Sequence, residues 1–423
     1  MDFATFFAND MNIYIVLAAI FGIFMAWGIG ANDVANAMAT SVGSQAITIK
    51  QAIILAAIFE FSGAYLAGGE VTKTIRKGIV DQNTFIDKPE LLIWGMLASL
   101  LAAGTWLLIA SRKGWPVSTT HSIVGAVIGF AAVGVSPDAV HWSKVTGIVL
   151  SWVVTPLMAG AIAFAIFTSI QKLIMNTDDP FKNAIKYGPI YLFMVGFIIV
   201  LVTIKKGLKH IGLDISEQSG LLIAVTIGIL IALFGSYLIR QIKFKTKDDK
   251  KFSYTNVEKI FAILMIFTAS AMAFAHGSND VANAVGPMAA VISIAQSGAV
   301  AAKSSLPSWV LLVGGVGIIV GLATFGYKVM MTVGKSITEL TPSRGFSAEL
   351  AAASTVVLAS YTGAPISTTQ TLVGAVLGVG IARGIAAIDL RVVGNIFMSW
   401  AITLPAGAIL SILFFYTLKG IFA

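Results

Sequence analysis

The octapeptide GANDVANA occupies residues 30–37, and GSNDVANA repeats it at residues 277–284 with seven of eight positions identical. Each copy follows a long apolar stretch and contains one aspartate, Asp33 or Asp280, beside asparagines. A carboxylate is expensive in such surroundings, and acids inside membrane segments are usually functional. The repetition therefore indicates that an acid serves a function in each half of the chain.

The composition is typical of a membrane protein. Hydrophobic residues make up 57% of the 423 residues, charged residues make up only 11%, and the mean hydropathy is +0.89. A soluble domain normally contains about a quarter charged residues. We therefore predict an all-α polytopic membrane protein with about 12 transmembrane or re-entrant segments, because helices satisfy their own backbone groups in lipid. The apolar segments are 13–30, 52–69, 91–110, 117–134, 146–170, 189–204, 219–239, 260–276, 309–327, 348–361, 366–382 and 395–416.

The cysteine content and the charge pattern exclude several classes of function. The chain contains no cysteine, which rules out disulfides, thiol catalysis and iron–sulfur clusters. Because no basic residue precedes Lys50, the N-terminus does not resemble a cleavable signal. The net charge of +8 is interpreted as cytoplasmic loop charge, with no nucleic-acid partner. If all segments cross and the N-terminus is outside, 18 of the 28 Lys and Arg residues lie inside, although the basic loop 72–88 does not.

The duplication extends beyond the octapeptide. PVSTTHSIVGAVIG at 116–129 returns as PISTTQTLVGAVLG at 365–378 with nine of fourteen positions identical. SWVVTP at 151–156 is echoed by SWAITLP at 399–405. All three pairs keep the same order and an offset of 247 to 249 residues, so two copies of one unit are present.

The repeats predict the domain organisation. A first repeat spans 12–172, two linking segments and a short basic loop span 173–257, and a second repeat spans 258–419. Seven crossings separate equivalent points, and since seven is odd the second repeat is predicted to be inverted in the membrane. Inverted repeats build secondary transporters with a binding site between them. If the STT segments are re-entrant hairpins, the count becomes even and inversion is not forced.

The duplicated aspartate motif predicts a cation site. Its Gly, Ala and Asn residues are expected to permit a break in the helix, which frees carbonyl oxygens beside the side-chain oxygens. Hard oxygen ligands around a carboxylate suit a small cation such as sodium. The predicted sodium ligands are Asn32, Asp33, Asn36, Asn279, Asp280 and Asn283.

The duplicated STT motif predicts an anion site. Each copy follows a proline and precedes an apolar helix, and Ser and Thr are preferred helix N-caps. The free N–H groups of the first turn, the hydroxyl groups and the helix dipole converge there. Two such helix ends could hold one tetrahedral oxyanion. The predicted anion ligands are Ser118, Thr119, Thr120, Ser367, Thr368 and Thr369.

The two predicted sites depend on each other electrostatically. A divalent anion beside two aspartates would meet repulsion of about 3 kcal/mol per charge pair at roughly 5 Å and an effective dielectric of about 20. Bound cations would relieve this repulsion, and mutual dependence of anion and cation is what symport requires. Glu60 and Glu349 lie in other apolar segments and are predicted to belong to the ion path or a gate. His121 and His276 are interpreted as hydrogen-bonding residues, each unmatched in the other repeat.

The combination of motifs resembles the inorganic phosphate transporter family, PiT, which includes sodium–phosphate symporters. Both octapeptides, both STT motifs and the IFE and FSAEL acids occur in the family order. The resemblance implies an inverted-repeat transport core, inorganic phosphate as substrate and sodium or protons as driving ion. It assigns ion coordination to the aspartates and asparagines, phosphate to the STT residues, and a transport role to the two glutamates. The short segment 240–256 and Gln370, where some members carry histidine, depart from the family pattern.

The function predicted from the sequence is therefore sodium-coupled phosphate symport, with no enzymatic activity and no cofactor. A proton-coupled or metal–phosphate symporter and a sulfate permease remain alternatives, because sulfate is also a tetrahedral dianion. An intramembrane hydrolase would need a nucleophile elbow or a metal cluster that the sequence lacks, and a passive anion channel would be opposed by the duplicated acids. We expect a homodimer in the cell membrane, the inner membrane if the source is bacterial.

Overall fold

The computed structural model describes residues 10–206, 215–241, 250–300, 307–327, 329–330 and 340–384, and residues 390–423. Within these ranges the chain is helical, and its only β pairing is an isolated bridge between Val80 and Val140. The helices are α1 Asp10–Ile29, α2 Ala35–Gly43, α3 Ile49–Ala67, α4 Gly69–Lys77, α5 Pro89–Lys113, α6 Thr119–Gly129, α7 Trp142–Ile170, α8 Pro180–Lys206, α9 Glu217–Arg240, α10 Lys250–Ser297, α11 Ser308–Gly321, α12 Pro342–Thr362, α13 Thr368–Arg383 and α14 Leu390–Phe422.

The all-α, multi-pass prediction is confirmed. In the described ranges, nine helices are long and apolar enough to cross a membrane. They account for nine of the twelve predicted segments, and the other three, 117–134, 348–361 and 366–382, also form helices. The first of these, Thr119–Val135, has 17 residues at most and is about 25 Å long, shorter than the roughly 30 Å hydrocarbon core.

Two helical hairpins carry the STT motifs. In the first, α5 ends at Gly114, which has a φ of 67°, and the chain turns back into α6. In the second, α12 ends at Gly363 with a φ of 73° and the chain turns back into α13. This left-handed conformation closes a helix and is tolerated by glycine because glycine has no Cβ. Both hairpins thus close at equivalent positions, 249 residues apart.

Helices of the two halves of the chain cross each other at very short distances. A Cβ at Gly30 would lie 1.8 Å from the carbonyl oxygen of Ile318, and one at Gly277 would lie 2.1 Å from that of Glu60. The same relation holds in the other direction, where Gly321 meets the backbone of Trp27 as Gly63 meets that of Phe274. Each octapeptide helix therefore packs backbone to backbone against a helix of the opposite half.

The helices that follow the STT motifs also pack closely against helices of the opposite half. A Cβ at Gly125 in α6 would lie 2.3 Å from the carbonyl oxygen of Leu404 in α14. A Cβ at Gly374 in α13 would lie 2.2 Å from that of Pro156 in α7. Small residues allow such backbone approach in membrane helices. These reciprocal contacts agree with a twofold relation between the halves, while their opposite orientation in a membrane stays a prediction.

The outer surface is strongly apolar. Leu157 on α7, Leu222 on α9 and Ile421 on α14 are 69%, 68% and 66% exposed. A soluble monomer rarely shows contiguous apolar patches of this kind. The exposed faces of these helices therefore fit contact with lipid, and the buried polar residues lie inside the bundle.

Replacing Gly30 or Gly277 with alanine is expected to destabilise the protein, because the added methyl group would overlap a backbone carbonyl of the crossing helix. Overpacking costs about 1–3 kcal/mol, more than the roughly 1 kcal/mol that alanine gains over glycine in a helix. The measurement is the thermal unfolding midpoint of the purified protein in detergent. Gly147→Ala in α7 is the control, since no atom of another helix lies within 4 Å of that Cβ position. Equal midpoints for Gly30→Ala and Gly147→Ala would contradict the close crossing.

Candidate functional site

The helices continue through both octapeptides. In the first copy, residues Gly30–Val34 form one π-helical turn between α1 and α2. In the second, α10 runs from Lys250 to Ser297 without interruption, even at Pro287. The predicted break in the helix is therefore wrong, because Gly, Ala and Asn here allow close packing without unwinding the chain. Side-chain oxygens, not freed carbonyl groups, dominate the site, and π-helical turns are often found at functional sites.

Asp33 is buried and accepts hydrogen bonds from both STT motifs. Thr119 of α6 donates from its hydroxyl to Asp33 Oδ2 at 2.6 Å and from its backbone N–H at 3.4 Å. Thr369 of α13 donates its hydroxyl to Asp33 Oδ1. One donor comes from the same half of the chain as Asp33 and the other from the opposite half.

Asp280 has the reciprocal arrangement. Thr368 donates to Asp280 Oδ2 at 2.7 Å, and Thr120 lies 3.3 Å from Oδ1 with its hydroxyl also directed at the carbonyl oxygen of Ile366. Thr368 belongs to the half that contains Asp280, and Thr120 belongs to the other. The two motifs therefore converge, as predicted, through four threonine–aspartate contacts. Each aspartate contacts one threonine of its own half and one of the opposite half.

Asn32 and Asn279 hold the turns of the two hairpins. The Asn32 amide donates to Ser111 Oγ at 3.1 Å and to the Trp115 carbonyl at 3.0 Å, and its Oδ1 accepts the N–H of Val117 at 3.2 Å. These contacts fix the turn that leads into α6. The sequence did not reveal this role, because Ser111 lies far from the octapeptide in the chain.

Asn279 makes the matching contacts in the second half. It donates to Ser360 Oγ and to the Ala364 carbonyl, both at 3.1 Å, and accepts the N–H of Ile366 at 3.3 Å. Every partner is offset by 249 residues from its counterpart in the first hairpin. That Asn32 and Asn279 also bind sodium stays a prediction, and each Oδ1 retains one further lone pair for it.

Of the third asparagines in the two motifs, Asn36 and Asn283, only Asn283 has a side chain that the structure describes. Nδ2 of Asn283 lies 3.1 to 3.2 Å from the Thr119 and Thr120 hydroxyls and from Asp280 Oδ1, which are three acceptors for its two N–H groups. Its Oδ1 is buried and has no hydrogen-bond partner among the described residues. The side chain of Asn36 lies outside the described part of the structure.

The two serines of the STT motifs cap helices as predicted. The Ser118 hydroxyl accepts the N–H of His121 at 3.2 Å, and the Ser367 hydroxyl accepts the N–H of Gln370 at 3.2 Å. Both serines are buried. The N-termini of α6 and α13 therefore begin inside the protein, beside the aspartates, where the positive ends of their dipoles favour negative charge.

Glu60 joins the site through His276, a connection that the sequence did not predict. His276 lies one helical turn before Asp280, and its Nε2 is 2.8 Å from Asp280 Oδ2. Its Nδ1 contacts Glu60 Oε1 of the other half. One ligand atom each of Asp33, His276 and Asp280 lie within 4.8 Å of one another. The four-residue spacing of His276 and Asp280 was the sequence feature that could have predicted their contact, since residues four apart share one face of a helix.

Glu349 lies in a separate cluster of hydroxyl groups. Thr40 donates to its Oε1 at 2.6 Å, Ser41 contacts the same oxygen, and Thr268 donates to Oε2 at 2.7 Å. All four side chains are buried. Glu349 is therefore held by side chains of both halves.

The full set of motifs matches a known family. A model of the phosphate transporter family matches residues 29–411. The chain belongs to the phosphate transporter family. A protein of Haemophilus influenzae named as a phosphate permease is 56% identical over 407 residues, covering 96% of this chain and 97% of that protein. Membership of this family, together with the apolar helices, identifies the chain as a multi-pass membrane transporter.

Two further relatives extend the comparison. The protein of Arabidopsis thaliana named inorganic phosphate transporter 2-1, chloroplastic, is 43% identical over 420 residues, which cover 93% of this chain and 70% of that protein. A solved structure described as the sodium-dependent phosphate transporter has a TM-score of 0.90 and 41% sequence identity. The match covers 97% of this chain and 100% of the solved one, so the family fold extends over almost the whole molecule.

Asn32→Ala and Asn279→Ala are expected to lower the thermal midpoint by similar amounts, because each removes three hydrogen bonds from an equivalent turn. Leaving buried backbone groups without partners costs about 1–3 kcal/mol per group. Asn83→Ala, at an exposed position in the short 3₁₀ turn Gln82–Phe85, is the control. Midpoints for Asn32→Ala and Asn279→Ala equal to that of Asn83→Ala would show that these amides do not hold the hairpins.

Proposed function

We propose that the chain is a secondary active transporter that carries inorganic phosphate and sodium together across the cell membrane, in a bacterium the inner membrane, as a homodimer. The sodium-dependent relative, 41% identical across almost the whole chain, supports sodium as the driving ion. The arrangement that carries the proposal is the pair of buried aspartates held by threonines of both halves at two helix N-termini.

The aspartates are the proposed sodium ligands. Ligand atoms of Asp33 and Asp280 lie within 4.8 Å of each other, so two ionised carboxylates repel by about 3 kcal/mol at an effective dielectric of about 20. A bound cation removes that cost. The unpartnered Asn283 Oδ1 adds a hard oxygen next to Asp280, and oxygen donors suit small alkali and alkaline-earth cations.

The N-termini of α6 and α13 are the proposed phosphate site. The N–H groups of His121 and Gln370 are capped by Ser118 and Ser367, and that of Thr119 donates to Asp33. The other first-turn N–H groups and the positive ends of the two helix dipoles attract a tetrahedral anion. Thr119, Thr120, Thr368 and Thr369 bring four hydroxyl donors to the same place, while Ser118 and Ser367 cap the helices and keep those ends oriented.

Glu60 and Glu349 are the proposed residues of the ion path. The Oε2 atom of Glu60 is buried and has no hydrogen-bond partner among the described residues, which leaves it able to accept a cation. Glu349 lies among three hydroxyl groups that could relay an ion between α2, α10 and α12. Both acids contact residues of the opposite half, so movement between the halves would alter their surroundings.

Proton coupling is the second candidate for the driving force. It is favoured by one observation, the contact of His276 with both Glu60 and Asp280, since imidazole can carry a proton between carboxylates. A metal–phosphate complex or sulfate could also occupy two helix N-termini, because the helix ends recognise charge and shape. A carboxylate facing the anion favours protonated phosphate, which donates a hydrogen bond that sulfate lacks.

The test is uptake of labelled phosphate into proteoliposomes under an imposed sodium gradient, and separately under a proton gradient, each with excess sulfate. We expect uptake that is driven by the sodium gradient and is not inhibited by sulfate. Uptake driven only by protons, or blocked by sulfate, would overturn the ion or the substrate. Exchange of labelled for unlabelled phosphate without a gradient is expected of a carrier, and its absence would indicate a channel.

Asp33→Asn and Asp280→Asn are each expected to abolish sodium-driven uptake while leaving the protein folded, because asparagine keeps the shape but removes the charge that holds the cation. The exposed Asp138→Asn is the control and should retain full uptake. The measurement is initial phosphate uptake against sodium concentration, with size-exclusion profiles as the test of folding. Full uptake with unchanged sodium dependence in either variant would remove that aspartate from the ion site.

Glu60 and His276 are expected to act as a unit. Glu60→Gln and His276→Gln should each lower the uptake rate, and the double variant should lower it no further than the worse single change, because contacting residues couple by about 0.5–3 kcal/mol. Glu60→Gln combined with Glu349→Gln is the control pair, since these acids share no hydrogen-bond partner among the described residues. Multiplicative effects in the Glu60–His276 pair would show that their contact does not serve transport.

A further inference from the structure

The third repeated motif, SWVVTP at 151–156 and SWAITLP at 399–405, has no part in the proposed ion and phosphate sites. The first copy lies in α7 and the second in α14. Each of these helices packs against the STT helix of the opposite half at the glycine crossings described above. The tryptophans of the two copies, Trp152 and Trp400, are buried, with 7% and 6% exposure. Both are therefore placed to act on the hairpins.

Trp152 contacts both STT motifs. Its indole N–H donates to the carbonyl oxygen of Pro365, the first residue of the second motif, at 3.1 Å. Its ring packs against the ring of His121, with 3.8 Å between the centroids. His121 directly follows Thr120 of the first motif. One side chain of α7 thus joins the beginnings of α6 and α13.

The bond from Trp152 completes the contacts that fix the entry into α13. The next residue, Ile366, donates its N–H to Asn279 Oδ1 at 3.3 Å, and its carbonyl oxygen lies 2.8 Å from the Thr120 hydroxyl. Ser367, the cap of α13, follows directly. Trp152 therefore acts on the helix N-terminus that is proposed to bind phosphate, without touching the anion itself.

Trp400 is the counterpart of Trp152, 248 residues later, but it does not make the matching bond. Its indole N–H is buried and has no hydrogen-bond partner among the described residues. The equivalent proline carbonyl, that of Pro116, lies 3.1 Å from the Ser399 hydroxyl, which is closer, at 2.7 Å, to the carbonyl oxygen of Ile396 in its own helix. Since a hydroxyl has one proton, the Pro116 carbonyl competes for it with a nearer acceptor.

The same contact is thus made in one half and missing in the other. An indole N–H can only donate, and it is unfavourable when buried without an acceptor. Because the Trp400 nitrogen is buried, a ligand entering from outside does not reach it. By analogy with Trp152, the acceptor that fits it is the Pro116 carbonyl. A movement of the first hairpin against α14 would bring the two together.

We propose that Trp152 and Trp400 are positioning residues that hold the hairpins alternately. In the observed state Trp152 holds Pro365, and in the state that faces the other side of the membrane Trp400 holds Pro116 while Trp152 is released. Carriers with inverted repeats change access by moving one part of the protein against another around a fixed site. Because the two halves are equivalent, exchanging their conformations produces the second state. The inference rests on the proposed function, since only a carrier needs both states.

The test is the Michaelis constant for labelled phosphate from each side of the membrane. It is measured in right-side-out and inside-out vesicles from a host that lacks other phosphate transporters. Trp152→Phe and Trp400→Phe keep an aromatic ring and remove the N–H, so each destabilises one of the two states. The apparent affinity on each side falls with the population of the state that faces it. We expect the ratio of the two constants to change by about tenfold, in opposite directions in the two variants.

The double variant Trp152→Phe/Trp400→Phe separates alternation from a merely structural role. Both states then lose one bond, so the ratio is expected to return to within about twofold of the wild-type value. Trp309→Phe, at a 42% exposed position of α11, is the matched control and should leave the ratio unchanged. Single variants that shift the ratio in the same direction or not at all, or a double variant that departs further than either, would overturn the alternation.

The thermal unfolding midpoint in detergent gives a second measurement that does not depend on transport. Trp152→Phe removes a bond that the observed state contains and should lower the midpoint. Trp400→Phe removes an unpaired donor and should lower it no more than Trp309→Phe does. Equal losses in Trp152→Phe and Trp400→Phe would contradict the difference between the halves. Absence of phosphate uptake by the wild-type protein would remove the proposed function and the alternation together, whereas wild-type uptake with unmoved ratios would remove the alternation alone.

Discussion

Two buried carboxylates whose oxygen atoms lie within 4.8 Å of each other need hydrogen-bond donors if both are ionised, and in this protein the donors come from both halves of the chain. Thr119 and Thr369 donate to Asp33 and Thr368 donates to Asp280, while the Thr120 hydroxyl lies 3.3 Å from Asp280 and 2.8 Å from the Ile366 carbonyl oxygen. A charge-assisted hydrogen bond contributes about 1.5–3 kcal/mol, and the unpaired alternative is costly. Neither half can therefore form its own site. The backbone crossings at the glycines follow from the same need, because they bring each aspartate within reach of the opposite STT motif.

The sequence was sufficient for the features that depend on local chemistry or on repetition. Apolar length predicted twelve of the fourteen described helices, and the proline followed by Ser118 or Ser367 predicted the caps. The two repeats predicted that aspartates and threonines converge. The sequence could not predict that each aspartate also contacts a threonine of the opposite half, since nothing near Thr369 in the chain indicates a bond to Asp33, 336 residues away. The expected helix break failed because glycine permits both a break and a close crossing, and only the neighbouring helix decides between them.

Two polar clusters have no counterpart in the other repeat. The glycine crossings match Ile29 with His276 and Ile318 with Glu60, so an apolar pair in one half corresponds to a charged pair in the other. Both isoleucines are fully buried. Glu349, too, has no acidic counterpart, since the equivalent position is Leu100. The polar clusters thus make the surroundings of the two aspartates chemically different, although the threonine contacts of the aspartates are equivalent.

The threonine hydroxyls give a physical reason for coupling under the proposed function. Each hydroxyl has one proton to donate, and in this structure Thr119, Thr368 and Thr369 donate it to an aspartate. A hydroxyl cannot donate to phosphate while it donates to a carboxylate. If sodium takes over the neutralisation of Asp33 and Asp280, the hydroxyls become available to the anion, and the carboxylates no longer repel it. Sodium thus improves the site for phosphate twice, by removing negative charge and by releasing donors. By linkage, phosphate must raise the affinity for sodium by the same factor.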